Sequence, residues 1–299
     1  MDDPEWRRPA HDGVLDLRQP PRHAIPLVVA SPHSGADYPD DFLASARLDP
    51  LTLRRSEDSF VDAIFAAAPD LGAPLLAARF PRAYLDVNRE AWELDPAMFS
   101  DLLPGFVNAR SPRVRMGLGT IARIVASGEE IYARKLRFAE ARQRVDALYH
   151  PYHHALRRLV DETEANFGGY LLLDCHSMPS AASAIGGQDG ADIVLGDCYG
   201  AACAPYIVEA ARTFLTRRDF AVVLNAPYAG GFTTVHYGNP RRARHALQIE
   251  INRALYMDER SYRKTPGFDR LMAEMTGLVA HLGQVMLECL AAPLRPAAE

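Results

Sequence analysis

Several features typical of particular protein classes are scarce in this 299-residue sequence. It has four cysteines, none of them in a CxxC pair: Cys175, Cys198, Cys203 and Cys289. Neither a disulfide framework nor a zinc knuckle is therefore expected, and reduced thiols fit a cytosolic protein. No apolar run approaches the ~20 residues that a membrane-spanning helix needs.

The sequence also has no excess of positive charge. Its 38 acidic and 33 basic residues give a formal net charge of -5, and such a chain does not attract a phosphate backbone. We therefore expect neither a nucleic-acid nor a membrane partner. The opening segment MDDPEWRRPAHDG is acidic and polar, unlike a signal peptide, so a cytoplasmic location is expected.

Short apolar segments alternate with amphipathic ones along the chain, which predicts an α/β fold with helices on both faces of a mostly parallel sheet. Residues 1–24 are expected to form a loose leader, residues 25–292 a single catalytic domain and residues 293–299 a frayed tail. Strands are predicted within 24–35, 73–80, 169–177, 191–197, 220–228 and 245–251. Helices are predicted within 58–72, 128–166, 200–216 and 267–291, with a break at Pro151 and a loop or hairpin at 230–238.

Polar residues follow several of these strands. In open α/β sheets, ligands collect at the carboxyl ends of the strands. His33 and His176 each follow a predicted strand, Glu250 lies within another, and the segment RAYLDVNRE follows a fourth. This distribution predicts one active site at that edge of the sheet.

Two histidines and one carboxylate are the smallest protein ligand set of a catalytic zinc. His33 and His176 offer the imidazoles, and Asp58, at the start of the following predicted helix, is the favoured carboxylate. Its neighbour Glu57 stays open as an alternative. Each residue also has an ordinary structural interpretation, which for Asp58 is a helix N-cap. One divalent metal is expected, with zinc favoured and cobalt or manganese also compatible with these donors.

Glu250 and Arg82 are the candidate catalytic groups. Glu250 lies in an apolar strand, where burial of a carboxylate is costly without a purpose, so it is a candidate base for activating water. A salt bridge to Arg244 or Arg253 is the alternative for Glu250. Arg82 is the candidate to stabilise a developing oxyanion.

Eight segments follow one another along the chain: SPHSGADYP, EDSFVDAIF, RFPRAYLDVNRE, GLGTIARIVASGEEIY, LYHPYHHAL, LLLDCHSMPS, NAPYAGGFTTVHYGNP and HALQIEINRALYMDE. Taken in order, these segments resemble N-formylglutamate amidohydrolases. The resemblance covers about residues 25–290 and implies that N-formyl-L-glutamate is hydrolysed to L-glutamate and formate in histidine degradation. That family is in turn similar to zinc carboxypeptidases and aspartoacylases, which implies an α/β/α sandwich around a mixed eight-stranded sheet.

The resemblance also implies residue roles. His176, in DCHS, matches a metal ligand, and Asn88 with Arg89, in DVNR, matches the pair that binds a substrate carboxylate. Arg82 matches the arginine that polarises the carbonyl, and Glu250 matches the catalytic glutamate.

One motif of these relatives is not matched. They have His-x-x-Glu, whereas the third residue after His33 is Ala36, followed by Asp37. The carboxylate ligand is therefore expected elsewhere, with Asp58 favoured and Asp37 or Glu57 left open.

A dianionic substrate needs a second cation. Arg115, Arg123 and Arg253 are all possible, and His153 and His236 are candidates to line the pocket or to serve as structural hydrogen-bonders. The oligomeric state is not predicted.

Other functions stay open. A thiol hydrolase would use Cys175, although adjacent strand residues such as Cys175 and His176 face opposite sides of a sheet. A deacylase for another N-acyl amino acid and a non-catalytic binder of acidic ligands are the remaining alternatives.

Overall fold

A seven-stranded mixed sheet organises the protein. The computed structural model describes residues 13–125, 127–183 and 190–291. In chain order the strands of the sheet are β1 (Leu15–Arg18), β2 (Leu27–Ser31), β3 (Leu75–Ala78), β4 (Tyr170–Met178), β5 (Ile193–Gly196), β6 (Val222–Leu224) and β7 (Arg244–Asn252). A separate two-stranded hairpin consists of β8 (Met257–Asp258) and β9 (Arg263–Lys264).

The strand order is β1-β3-β2-β4-β7-β5-β6. The four central strands β3, β2, β4 and β7 run parallel to one another, whereas β1 pairs in antiparallel fashion with β3 and β5 with β7. The mixed, mostly parallel sheet of the predicted sandwich is thus confirmed, although the described residues supply seven strands rather than eight. Each central strand is buried along its length because helices cover both faces.

Helices form the outer layers. On one face α6 packs against β2, β3 and β4, and on the other α10 contacts α3 and α8. None of the helices in the described ranges is both long and apolar enough to cross a membrane. The helices are α1 (Asp40–Ser45), α2 (Pro50–Leu53), α3 (Val61–Ile64), α4 (Pro112–Arg115), α5 (Phe138–Arg144), α6 (His150–Phe167), α7 (Ser180–Ser183), α8 (Pro205–Thr216), α9 (Phe232–Tyr237) and α10 (Gly267–Ala291).

Three local predictions differ from the structure. Residues 15–18, expected in a loose leader, form β1 because Leu15 and Leu17 bury their side chains at the sheet edge. Residues 230–238, expected as a loop or hairpin, contain α9, at whose start Gly231 N donates to Thr234 Oγ1.

The third difference concerns Pro151. The helical stretch begins at 138 rather than 128, and Pro151 does not break it. A π-helical turn, Val145–Tyr149, joins α5 to α6, and Pro151 lies in the first turn after it. A wider turn at this point accommodates the missing N–H and the ring of proline.

Candidate metal centre and active site

The carboxyl ends of the four central parallel strands open into one cleft of about 690 Å³. This is the edge at which open α/β sheets bind ligands. The segments that follow β2, β3 and β4, together with the end of β7, supply its polar lining. Seven of the residues predicted from sequence line it: His33, Arg82, Asn88, Arg89, His176, Glu250 and Arg253.

Three buried side chains converge at the floor of this cleft. His33 Nδ1 lies 3.1 Å from His176 Nδ1 and 3.3 Å from Asp58 Oδ2. His176 Nδ1 lies 3.0 Å from the same oxygen of Asp58. Two imidazole nitrogens and one carboxylate oxygen thus surround a common point, and this cluster could hold a divalent metal ion.

A carboxylate lies next to the Nε2 atom of each histidine in the cluster. His33 Nε2 donates to Asp86 Oδ1 at 2.8 Å, and His176 Nε2 lies 3.1 Å from Asp174 Oδ1. The bond from His33 Nε2 to Asp86 fixes the tautomer of His33 that leaves Nδ1 free to coordinate, an arrangement usual around protein-bound metals. Nε2 of His176 also lies 3.1 Å from Asn88 Nδ2, and Asp174 adds a negative charge next to it. The donor set therefore fits a divalent cation.

The electrostatics of the cluster agree with this fit. Burial alone would lower the pKa of His176, but Asp174 and Asp58 raise that pKa well above its usual range. Burial alone would raise the pKa of Asp58, yet His176 and His33 hold it well below its usual range. Carboxylates thus favour positive charge at this point of the structure.

A network of hydrogen bonds orients Asp58. Its backbone N–H donates to His33 O at 3.0 Å, while Ser177 Oγ and Arg253 Nη2 donate to Asp58 Oδ1 at 3.1 and 3.2 Å. Oδ2 is left to face the histidines, so the carboxylate contacts side chains instead of capping α3. Arg253, expected to bind substrate, lines the cleft but also donates from Nε to Ser177 Oγ at 3.1 Å and thereby positions Asp58.

The two alternative carboxylates lie outside the cluster. Glu57 accepts from Tyr38 Oη at 2.6 Å and pairs with Arg54 at 3.0 Å. Asp37 is exposed and pairs with Arg79 at 2.9 Å. The geometry therefore favours Asp58 over both.

Glu250 lies beside the cluster. It is the register partner of His176 on the neighbouring parallel strand, and it lines the cleft. Gln248 Nε2 donates to Glu250 Oε1 at 2.8 Å, and burial raises the pKa of Glu250 to about 7. The salt bridge considered from sequence is not formed, because Arg244 and Arg253 pair with other carboxylates.

Asp86 connects the metal cluster to the arginines of the cleft. One of its oxygens accepts from His33, and the other lies 3.0 Å from Arg82 Nε and 3.4 Å from Arg89 Nη2. These cations hold the pKa of Asp86 well below its usual range despite complete burial. A single carboxylate thus fixes a candidate ligand and two candidate substrate-binding groups.

Asn88 is held between two elements. Its Nδ2 donates to Asp174 Oδ2 at 3.2 Å, and its Oδ1 accepts from Thr233 N of α9 at 2.8 Å. A Cβ on Gly231 would lie 2.3 Å from Asn88 Oδ1, so only glycine permits this approach. Similarly, a Cβ on Gly35 would lie 2.3 Å from the carbonyl oxygen of Phe80, where the His33 loop meets the loop after β3.

Several predicted residues are not brought into the cleft. His236 was expected to bind substrate, but α9 directs it outward, where its Nε2 lies 2.6 Å from Arg157 Nη2. His153 bonds to the carbonyl of Val87 and to Tyr237, as a structural histidine does. Of the candidate second cations, Arg115 is exposed and does not line the cleft.

Arg123 also lies outside the cleft, because it pairs with Asp95 and Glu130 in a different depression. Sequence reasoning missed Asp86 and Asp174, the carboxylates behind the histidines. The signals were present, since Asp86 opens the segment DVNR and Asp174 opens the segment DCHS.

Comparisons with known proteins agree with this geometry. The sequence profile of the N-formylglutamate amidohydrolase family matches residues 25–257. The chain belongs to this family. It is 31% identical to an N-formylglutamate deformylase of Pseudomonas putida over 83% of this chain and 86% of that protein. It is 28% identical to the enzyme of that name from Pseudomonas aeruginosa, over 84% of this chain and 88% of the relative.

A solved structure has the same fold as this member of the family. The N-formylglutamate amidohydrolase from Ralstonia eutropha JMP134 is 38% identical, with a TM-score of 0.88 over 92% of this chain and 99% of that one. The chain is therefore a hydrolase that cleaves a linear amide bond, built on an α/β sandwich.

Proposed function

We propose that the protein hydrolyses N-formyl-L-glutamate to L-glutamate and formate with one divalent metal, zinc being the favoured ion. The observation that carries this proposal is the cluster of His33, His176 and Asp58, with a carboxylate behind each histidine and Glu250 alongside. The names of the Pseudomonas relatives support the substrate. Histidine catabolism and a cytoplasmic location stay predictions.

The cluster would supply the electrophile. His33, Asp58 and His176 would hold a divalent cation, which would lower the pKa of water and polarise a carbonyl oxygen. Asp86 keeps the imidazole of His33 in the required tautomer, and Asp174 places a negative charge next to Nε2 of His176. The position of Glu250, opposite His176 in register, places a second carboxylate next to this point.

Glu250 acts as the general base and then as the acid. It takes a proton from the water that attacks the formyl carbon, and it returns that proton to the nitrogen as the C–N bond breaks. A group with a pKa of about 7 is suited to both transfers near neutral pH.

The arginines and Asn88 bind the anionic parts of the substrate. Among the described residues, Arg82 bonds to Asp86 only through Nε, so its remaining N–H groups are available to the oxyanion. Arg89 and Asn88 bind the α-carboxylate, for which a guanidinium offers a two-pronged donor.

The thiol alternative has little structural support. Cys175 packs in the core on the sheet face opposite His176, as strand alternation requires. Burial raises the pKa of this thiol well above its usual range, which keeps it protonated and unreactive.

One experiment tests the proposal. The purified protein is assayed for bound metals and for formate or acetate release from a panel of N-formyl and N-acetyl amino acids. We expect about one equivalent of metal, the highest kcat/KM with N-formyl-L-glutamate, loss of activity with a chelator and recovery with zinc.

Two outcomes would contradict parts of this proposal. Activity that survives complete metal removal would exclude the metal-dependent reaction. Inactivation by iodoacetamide with metal retained would instead favour a thiol mechanism, and ligand binding without turnover would favour the non-catalytic binder.

A further inference from the structure

The cleft of this acidic protein is lined by five arginines. This concentration of cations indicates an anionic ligand, and the partners of each arginine indicate which of them are available to it. The five are Arg55, Arg82, Arg89, Arg113 and Arg253.

Three of the five already neutralise buried carboxylates. Arg82 and Arg89 both pair with Asp86, at 3.0 and 3.4 Å, and Arg253 pairs with Asp58 at 3.2 Å. Since the site needs these arginines to compensate its own carboxylates, they do not by themselves balance a substrate that carries two negative charges.

The other two arginines, Arg55 and Arg113, differ from each other in whether a carboxylate neutralises them. Arg55 Nη1 is engaged by Glu129 at 2.8 Å and by Ser127 at 2.9 Å on the exposed side of the molecule. Arg113 has no carboxylate within 4.0 Å and no side-chain hydrogen bond within the described ranges 13–125, 127–183 and 190–291. Among the residues that the structure describes, it is thus a half-buried cation at the cleft without a counter-charge.

The short helix α4 fixes the position of Arg113. Ser111 Oγ accepts from Val114 N at 3.1 Å at the start of the helix, and Val114 anchors it in the core. Arg113 lines the cleft, whereas Arg115, two residues further along the same helix, is exposed and does not. The helix therefore offers a matched pair of arginines with one inside the cleft and one outside it.

Hydrogen bonds couple Arg113 to the candidate carboxylate-binding residue Arg89. Leu118 N donates to Arg113 O at 2.8 Å, and Arg89 Nε donates to Leu118 O at 2.8 Å. Burial lowers the pKa of Arg89 to about 10, and the nearby charges of Arg82 and Arg113 act in the same direction, which still leaves Arg89 charged at neutral pH. Two guanidinium groups are thus held near each other in one cleft, as recognition of a dicarboxylate requires.

We propose that Arg113 binds the side-chain carboxylate of the substrate and makes the enzyme selective for acidic N-formyl amino acids. The proposal rests on the function proposed above and identifies its second cation. Met116, Leu118 and Ile124 also line the cleft and would pack against the methylene groups between the two carboxylates.

The test compares two substrates that differ in one charge. N-formyl-L-glutamate and N-formyl-L-glutamine have nearly the same shape, but only the first has a side-chain carboxylate. The variants are Arg113→Met, which keeps the apolar stem of the side chain, and Arg115→Met as the matched control on the same helix.

We expect Arg113→Met to lower kcat/KM for N-formyl-L-glutamate by about 10- to 100-fold, chiefly through KM, as for a lost hydrogen bond between charged groups. Activity on N-formyl-L-glutamine should change less than about 3-fold, and Arg115→Met should leave both substrates unaffected. Arg113→Lys should recover part of the preference, since it restores the charge without the fork.

The outcomes separate this inference from the function on which it rests. If the wild-type protein releases no formate from N-formyl-L-glutamate, the proposed function fails and takes this inference with it. If the wild-type protein is active and Arg113→Met keeps the full preference for glutamate over glutamine, this inference alone is overturned. An equal loss on both substrates also overturns it when the metal content and the thermal midpoint of the variant match those of the wild type.

Discussion

Two groups of histidines in this protein have opposite environments. His33 and His176 lie at the ends of β2 and β4, and each faces a carboxylate with its Nε2. His153, within α6, donates from Nε2 to the backbone carbonyl of Val87, and His236 lies on the outer side of α9 against Arg157.

The difference shows that the partner of a histidine, rather than its burial, decides what the ring can do. Carboxylates raise the pKa of His176 well above its usual range although burial acts against this, whereas burial lowers the pKa of His153 to about 4. The environment of His176 attracts a cation. The environment of His153 keeps the ring neutral, so that it serves as a structural hydrogen-bonding group. The segment HPYHH is richer in histidine than either strand end, yet it contributes none to the cleft.

The largest expected effect comes from removing the base beside the first group. Glu250→Gln should retain the metal but lower kcat by about 10³- to 10⁴-fold, because the amide cannot accept the proton. Formate release and metal content are measured on the same sample. Glu164→Gln, which alters a surface pair with Arg244, is the control and should stay within about 2-fold of wild type. Near-normal turnover of Glu250→Gln would exclude it as the base.

Exchanging one histidine from each group tests the comparison directly. His176→Ala should lose its metal on dialysis, because two of the three donors do not hold a divalent ion tightly. His153→Ala should keep the metal and lose only stability, by about 1–3 kcal/mol for the unpaired Val87 carbonyl and the lost packing. Full metal retention by His176→Ala, or metal loss from His153→Ala, would contradict the distinction between metal-binding and structural histidines.

A smaller effect is expected when the carboxylate behind a ligand is changed. Asp174→Asn should weaken metal affinity by about 10- to 100-fold, since the ring of His176 loses its charged partner. Competition with a chelator of known affinity measures this change. An unaltered affinity would mean that Asp174 stabilises the fold and not the metal.

The smallest effect concerns pH. His153 is neutral when folded, with a pKa of about 4, but takes up a proton near 6.5 when the chain unfolds. The unfolded state therefore binds more protons between these values, and the free energy of unfolding should fall as the pH decreases, by on the order of 1 kcal/mol per pH unit below 6.5. Urea titrations from pH 7.5 to 5 measure this slope. His153→Gln should be less stable at pH 7.5 but should show a shallower slope; parallel slopes would contradict the assignment.

The strand ends of the site could be predicted from sequence because their signal is local. Each of β2, β4 and β7 is a buried run followed or interrupted by a polar side chain, and parallel strands place those side chains at one edge. The number of residues between His33 and His176 does not indicate that they are close in space. Their Nδ1 atoms lie 3.1 Å apart because β2 and β4 are neighbours in the sheet.

Other features could not be predicted because they depend on tertiary contacts. The threonines and flanking glycines of α9 favoured a loop or hairpin, yet Thr233 N bonds to Asn88 Oδ1 and fixes the segment as a helix. The role proposed for Arg113 could not be predicted, because its basic segment, SPRVR, has a pattern typical of a solvated surface. Only the fold distinguishes it from Arg115.

Lining positions of the cleft differ in how freely they can evolve. Around Gly231 the backbone itself touches Asn88, so any added side chain would displace a residue of the site. Met116 and Ile124, by contrast, line the cleft with side chains that substitution can exchange. Divergence towards new substrates within the family should therefore accumulate at positions of the second kind, while the approach of Gly231 to Asn88 acts as an inherited constraint.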